Sequence, residues 1–298
     1  MDLILGEITK NSINNFENLL MSTSDKNIFI YQIFYDENSK NKIDPDFIGL
    51  DNLENLRPDW YEFLPIKNFL LSNDLKEDAW YGFLSPNFTA KTGFSGIDVI
   101  NTIKEHQDNY DVALFSHGYD QLAYFKNPFF QGEIWHPGLI QLSQKFIDSI
   151  GLGIEIENLV TYSVTSTFSN YIVAKPKFWR EWLSLAIQFY NYVELGNDGL
   201  DKMMTSYGSN EYLTSMKTFI QERLSCLILS QLNYRILAVR KNIPYPVFNR
   251  LFEVEPDTAQ ILKTLDLLKE KYIQSKDIDY LNMFYRVREA VKVIPQNQ

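Results

Sequence analysis

A single cysteine, Cys226, stands among 298 residues. No disulfide can close within the chain, and no cysteine-based metal site can form. Cys226 lies in the apolar run LSCLILS with no histidine near it in sequence, so it reads as a small buried hydrophobe, as expected of a reducing compartment. Basic clusters are missing as well. The net charge is −10, from 28 Lys and Arg against 38 Asp and Glu. Such a chain repels nucleic acid and anionic membrane surfaces, although a nucleotide ligand needs only one or two local cations. No stretch approaches the ~18 consecutive apolar residues of a membrane span. The opening residues MDLILGEITKNS carry neither a basic region nor a long apolar core, so the expectation is no secretory leader and a cytoplasmic location.

Familiar catalytic signatures are absent too. There is no G-x-x-x-x-G-K phosphate loop, no G-x-G-x-x-G after a strand, no G-x-S-x-G elbow and no H-E-x-x-H. GLG at 151–153 follows a helical pattern and reads as a helix stop. The 3 histidines, at 106, 117 and 136, are too scattered to suggest a zinc site.

What the chain does have is apolar bulk. Hydrophobic residues make up 45% and aromatics 15%, ample for a packed core. In the plain reading the aromatics fill that core; in the sharper one, some are stacking platforms for a sugar or a base. Asn27–Tyr35, Ala79–Leu84, Asp111–Phe115, Tyr171–Ala174 and Tyr234–Val239 read as strands. Between and after them come helical patterns: Glu7–Met21, Asp59–Asn73 (bent or split at Pro65), a helix opened by Ser95 with Asp98 as capping box, and Leu139–Ile150. Phe178–Val193, Leu213–Leu232, Thr258–Gln274 and Ile278–Val293 follow. Asp36–Pro58, Ser85–Phe94 and Gly196–Gly208 read as loops, and Lys241–Val254 as irregular. Strands alternating with helices predict an α/β fold, a mostly parallel sheet covered by helices on both faces. No linker or repeat divides the chain. The expected organisation is one α/β domain over 1–298, with a core at 27–240 and a helical C-terminal extension at 241–298.

In α/β proteins small-molecule sites form beyond the strand ends, and three strands here end in polar groups. The first ends in Asp36-Glu37, suited to a ribose or base or simply to solvent. The third runs into Ser116-His117-Gly118-Tyr119-Asp120-Gln121, where Asp120 suits a divalent ion or a sugar hydroxyl and His117 a diphosphate; the plain alternative is a turn capped by Asp120. Ser169-Asn170 leads into the fourth strand, and a buried Asn or Ser must find a partner. Glu133 and His136 sit three residues apart in a Gly/Pro-interrupted segment and could form an acid/base pair. Arg57 and Lys91 are cations in turn-like positions that could neutralise a phosphate. Asp44-Pro45-Asp46 has a D-x-D spacing but no strand before it, and Asp277-Ile-Asp279 reads as a helix N-cap.

Several stretches together resemble a bacterial glycosyltransferase-like family of polysaccharide biosynthesis: YQIFYDE at 31–37, IDPDFIGLDN at 43–52, RPDWYEFLPIKNFL at 57–70, YGFLSPNFTAKTG at 81–93, DVALFSHGYDQ at 111–121, GEIWHPGL at 132–139 and SNYIVAKPKFWREWL at 169–183. The resemblance covers roughly 27 to 240. It implies the nucleotide-sugar-binding GT-A fold, in which an acidic motif after a central strand holds a metal and a diphosphate. Ser116–Asp120 would take that position and Ser169–Trp179 the acceptor side. No D-x-D follows the third strand, so Mg²⁺ or Mn²⁺ at Asp120 is one option. The other is a metal-free site in which His117, Lys91 or Arg57 offsets the charge.

On this basis the chain is expected to transfer a sugar from a nucleotide-sugar donor to a glycan acceptor in surface polysaccharide biosynthesis, in association with other glycan-assembly enzymes. Asp120 or Glu133 would be the base. The rivals are a non-catalytic carbohydrate- or partner-binding module and a glycoside hydrolase, whose paired carboxylates would face each other at about 5–10 Å.

Overall fold

A computed structural model describes residues 27–293 except 117, 168, 208, 232 and 241–256. The expected helix at Glu7–Met21, His117 and the segment Lys241–Val254 therefore lie outside the described residues. In chain order the elements are β1 (Ile28–Phe34), α1 (Glu37–Lys40), β2 (Ile48–Asp51), α2 (Phe63–Ser72), β3 (Trp80–Leu84), α3 (Phe88–Thr92), α4 (Gly96–His106) and β4 (Val112–Leu114). Next come α5 (Tyr119–Tyr124), α6 (Pro128–Trp135), α7 (Leu139–Ser149), β5 (Ile172–Ala174) and α8 (Pro176–Glu194). The remainder are β6 (Met204–Tyr207), β7 (Ser209–Ser215), α9 (Met216–Gln221), α10 (Leu224–Gln231), β8 (Ile236–Ala238), α11 (Thr258–Ser275) and α12 (Ile278–Arg288).

Six strands form one sheet in the order β2-β1-β3-β5-β4-β8, while β6 and β7 pair as a separate hairpin. β1, β2 and β3 run parallel, as do β4 and β8; β5 alone is reversed, antiparallel to both its neighbours. The fold is thus α/β with a mostly parallel, mixed sheet. Both faces are covered, because successive side chains of a strand point to opposite sides. Tyr81 and Phe83 of β3, Val112 and Leu114 of β4 and Ile172 and Ala174 of β5 join one core with α2, α7, α8, α9 and α10. Trp80, Leu84, Ala113 and Val173 point the other way, onto Phe88 of α3 and Val99 and Ile103 of α4. A third cluster joins α5 to α11 and α12 through Ala123, Leu262, Leu265 and Phe284.

Several sequence expectations are corrected. The polar stretch 36–58 is not a single loop: it holds α1 and the edge strand β2, whose largely exposed residues lack the apolar signature of a buried strand. Pro65 does not bend a helix, because α2 begins at Phe63 and places Pro65 in its first turn, where a missing N–H costs nothing. The Lys91 segment is a short helix closed by Gly93. The loop expected at Gly196–Gly208 contains β6, and Leu213–Ser215 belongs to β7 rather than to the expected long helix, which is itself broken between Gln221 and Leu224. The capping box of Ser95 and Asp98 and the N-cap of Asp277 form as read.

Candidate functional site

Because β5 is reversed, its N-terminal start lies at the same edge as the C-terminal ends of its neighbours. The register makes this concrete. Leu114 opposes Ile172 and Gly82 opposes Val173, so continuing both ladders sets Ser116 and Ser85 on either side of Asn170. The β4–β8 pairing of Leu114 with Ala238 sets Arg240 beside Ser116. Backbone hydrogen bonds carry the pairing past the strand ends, from Phe115 N to Tyr171 O at 2.9 Å and from Val239 N to Leu114 O at 2.8 Å. The hydroxyls of Ser85 and Tyr171 meet at 3.1 Å. Ser116 Oγ, Ser169 Oγ and Asn170 Oδ1 are buried here and make no hydrogen bond among the described residues.

Gly118 (φ 70) takes the left-handed turn that starts α5, which carries Asp120 and Gln121 into the interior, at 1% and 0% exposure. Gln121 Oε1 accepts from Gln131 Nε2 at 2.7 Å, and Gln131 Oε1 accepts from Arg223 Nη2 at 2.6 Å. This buried chain ties α5 through α6 to the break between α9 and α10. Arg240 lies over the Tyr119 ring, 4.4 Å from its centre.

At the β1 end, Asp36 accepts from the backbone and hydroxyl of Ser39 in a capping box on α1, which lowers its carboxyl. Glu37 is exposed and reaches Lys40 at 3.5 Å. Asp44 accepts from Asp46 N and Gly96 N, so the D-x-D loop clamps the start of α4.

Two expectations fail. Arg57 is not available to a phosphate: its guanidinium forks onto Asp59 and Glu194 at 2.7–2.9 Å. Lys217 joins the same group, and the hydrogen bonds from Arg57 hold the Asp59 carboxyl down at about 2. Glu133 and His136 do not form an acid/base pair. Both Glu133 oxygens accept backbone N–H groups at the start of α7, from Gly138 and Ile140 at 2.7 Å each. His136 stacks on Phe219 with ring centres 3.4 Å apart, and burial pushes its imidazole down to about 3. A base that weak takes no proton near neutrality.

Sequence reading missed a carboxylate pair. The strap 59–62 lies along α9 and the end of β7 at three points: Asp59 with Lys217, Trp60 O with Gln221 Nε2 at 3.4 Å, and Tyr61 Oη with Thr214 Oγ1 at 2.9 Å. The next residue, Glu62, comes close enough to Glu222 to raise its carboxyl. Burial is the larger cause, and together they lift Glu222 to about 7, against the opposing pull of Arg223 and Lys91. Burial likewise raises Glu62, which also acts on Tyr35 at the end of β1. Yet 34% of the Glu222 side chain remains exposed. The only sequence hint was a charged Glu-Arg dipeptide interrupting an apolar run.

Among the described residues, no three His, Cys, Asp or Glu side chains gather as a metal cage. A separate hollow of about 560 Å³ lies toward the opposite sheet edge, lined by Tyr162, Tyr234, Tyr272, Asn158 and Ile236 among others. No described helix is long and apolar enough to cross a membrane. Comparison with protein-family models, curated proteins and solved structures finds no match.

Proposed function

We propose that the chain is a glycosyltransferase-like enzyme that binds a nucleotide-sugar donor across the strand-end edge and transfers its sugar to a glycan acceptor. One observation carries the reading: Ser116 Oγ, Ser169 Oγ and Asn170 Oδ1, adjacent at the ends of β4 and β5, are buried with no hydrogen-bond partner among the described residues. Buried polar atoms are nearly always satisfied, so a polar ligand is the natural complement. Amide and hydroxyl groups suit a base edge or sugar hydroxyls. Lys91 at the end of α3 and Arg240 beyond β8 flank this edge and suit the charge of a diphosphate. Asp120 would hold a divalent ion only together with the donor's own oxygens, whose charge the ion would offset.

A thermal-shift screen against UDP-, GDP-, CMP- and dTDP-sugars, with and without Mn²⁺, tests this. A ligand that binds only the folded state raises the midpoint by mass action. At least one donor should do so, and Asn170→Ala should weaken that donor about tenfold, a loss of roughly 1.4 kcal/mol. If every donor leaves the midpoint unmoved, the reading is wrong.

The rival, a carbohydrate-binding module without catalysis, draws on the hollow lined by Tyr162, Tyr234 and Tyr272. Under that reading glycans raise the midpoint and nucleotide sugars do not.

A further inference from the structure

The hollow at the start of β8 has the make-up of a ligand site. Its volume is about 560 Å³, within the ~300–1,000 Å³ range of small-molecule pockets. The buried part of its lining is apolar, from Ile154, Val160 and Leu229. Tyr162, Tyr234 and Tyr272 are half-buried, so part of each ring stays open. Asn158, Gln231 and Asn233 are exposed and add amide groups.

Three separate chain segments build this lining, and each is tied down from outside it. Gln144 of α7 donates to Ile154 O and accepts from Ile156 N, at 2.9 Å each. Ser163 donates its N–H and its hydroxyl to Asp266, which locks the Tyr162 segment to α11, the helix that carries Tyr272. Asp111 accepts from the backbone and guanidinium of Arg235 at 2.8–3.2 Å and so fixes Tyr234 just before it. A hollow ordered before binding costs a ligand little further ordering.

The chemistry of the lining selects the ligand. Only Glu155 and Lys276 are charged among the lining residues, and their charges are opposite. Glu155 moreover accepts from Asn158 Nδ2. An ion would find no surplus of opposite charge here. Tyrosine rings offer an apolar face and a polar tip, and amides both donate and accept. A pyranose ring has the complementary surface, with C–H groups on its faces and hydroxyls around its edge.

We propose that this hollow binds a stretch of neutral oligosaccharide and holds the part of the acceptor remote from its reacting end. Naming the occupant as acceptor rests on the transferase reading; the preference for a neutral oligosaccharide does not. The spacing suits a holding role. Ile236 lines the hollow, while Arg240 stands beside Ser116 at the donor edge. Four residues of extended chain separate them, about 13 Å. A sugar in the hollow is therefore out of reach of the donor, and the residues around it bind without reacting.

Calorimetric titration of the full chain with neutral hexasaccharides of glucose, mannose, galactose and N-acetylglucosamine tests this, with a hexauronic acid as the charged counterpart. At least one neutral hexasaccharide should bind, and the charged one should not. Tyr272→Ala and Tyr162→Ala, on different segments, should each weaken binding about tenfold, whereas Tyr272→Phe keeps the ring and stays within about threefold. Amide exchange should slow at Asn158–Thr165 and not at Ser116–Gln121. With a hexasaccharide acceptor in turnover, Tyr272→Ala should raise KM and leave kcat unchanged. The site is overturned if no neutral hexasaccharide binds, if the hexauronic acid binds as well, or if both alanine variants bind within about threefold of wild type. A loss confined to kcat overturns the holding role. If a hexasaccharide binds here and every nucleotide sugar fails to bind, the transferase reading and the acceptor role fall while the oligosaccharide site stands.

Discussion

Glutamates 133 and 222 share one side chain and differ in what surrounds it. At 133 two backbone N–H groups fix both oxygens; at 222 no hydrogen bond among the described residues does, Arg223 stands 3.9 Å off, and burial, with Glu62 adding to it, lifts the carboxyl to about 7. Glu133→Gln should therefore cost about 0.5–2 kcal/mol of stability, as loss of a helix cap does, and leave turnover per folded molecule unchanged. Urea denaturation alongside kinetics measures the two separately. His136 makes the pH argument in the other direction. Its ordinary value is 6.5, and burial takes it to about 3. Between those values the unfolded chain binds a proton that the folded chain refuses, so this contribution is intact above about 6.5 and is lost as pH falls toward 3. His136→Phe keeps a ring on Phe219 and removes the titration, so its denaturation midpoint should fall less than wild type's between about pH 7 and about pH 5. Sequence spacing brought Glu133 and His136 together on paper. It carries no information on which backbone amides or rings will claim a side chain.

At the scale of elements, the break between α9 and α10 shows why part of the fold was not legible. Leu213–Leu232 has the apolar pattern of one helix, and neither Pro nor Gly interrupts it. The interruption is tertiary. Arg223 Nη1 donates to Phe219 O at 2.6 Å, and Arg223 N bonds to Ile220 O, three residues back, so the helical ladder closes early. Burial of the guanidinium, which lowers it to about 10, is tolerated because three acceptors surround it. Gly132 makes the passage possible. A Cβ there would lie 2.7 Å from Arg223 Nη2 and 2.8 Å from its Cζ. Replacing a helical glycine by alanine ordinarily stabilises by about 1 kcal/mol. Here Gly132→Ala should instead destabilise by roughly 1–3 kcal/mol, the range for overpacking. A raised midpoint in urea would show that Arg223 can move aside. By contrast β1, β3, β4 and β5 were readable because each is a short apolar run with its own turn signals, and β2 was not because an edge strand buries little.

At the scale of the whole molecule, the α/β class follows from alternation of strand and helix, but the reversal of β5 leaves no local mark. Ile172–Ala174 is equally apolar in either direction, and only its partners decide. That reversal is what brings Asn170 between Ser85 and Ser116 rather than to the far edge. Of Glu37, Asp120 and Asn170, the groups expected around one hollow, Asn170 precedes β5 and Asp120 sits on α5 at 1% exposure, while Glu37 is exposed beyond β1 and reaches Lys40. Arg57, Glu133 and His136 are engaged in packing elsewhere. Arg240 comes beside Ser116 only through the β4–β8 pairing, from far along the chain. The consequence is spatially specific. A bound donor should slow amide hydrogen exchange at Ser85–Gly93, Ser116–Gln121 and Ser169–Tyr171, since opening of these segments would then require losing the ligand. The hollow around Asn158–Thr165 and Asn233–Tyr234 lies toward the other edge and should exchange at its unliganded rate. Protection there, with the strand ends unaffected, would transfer the binding function to the tyrosine-lined hollow.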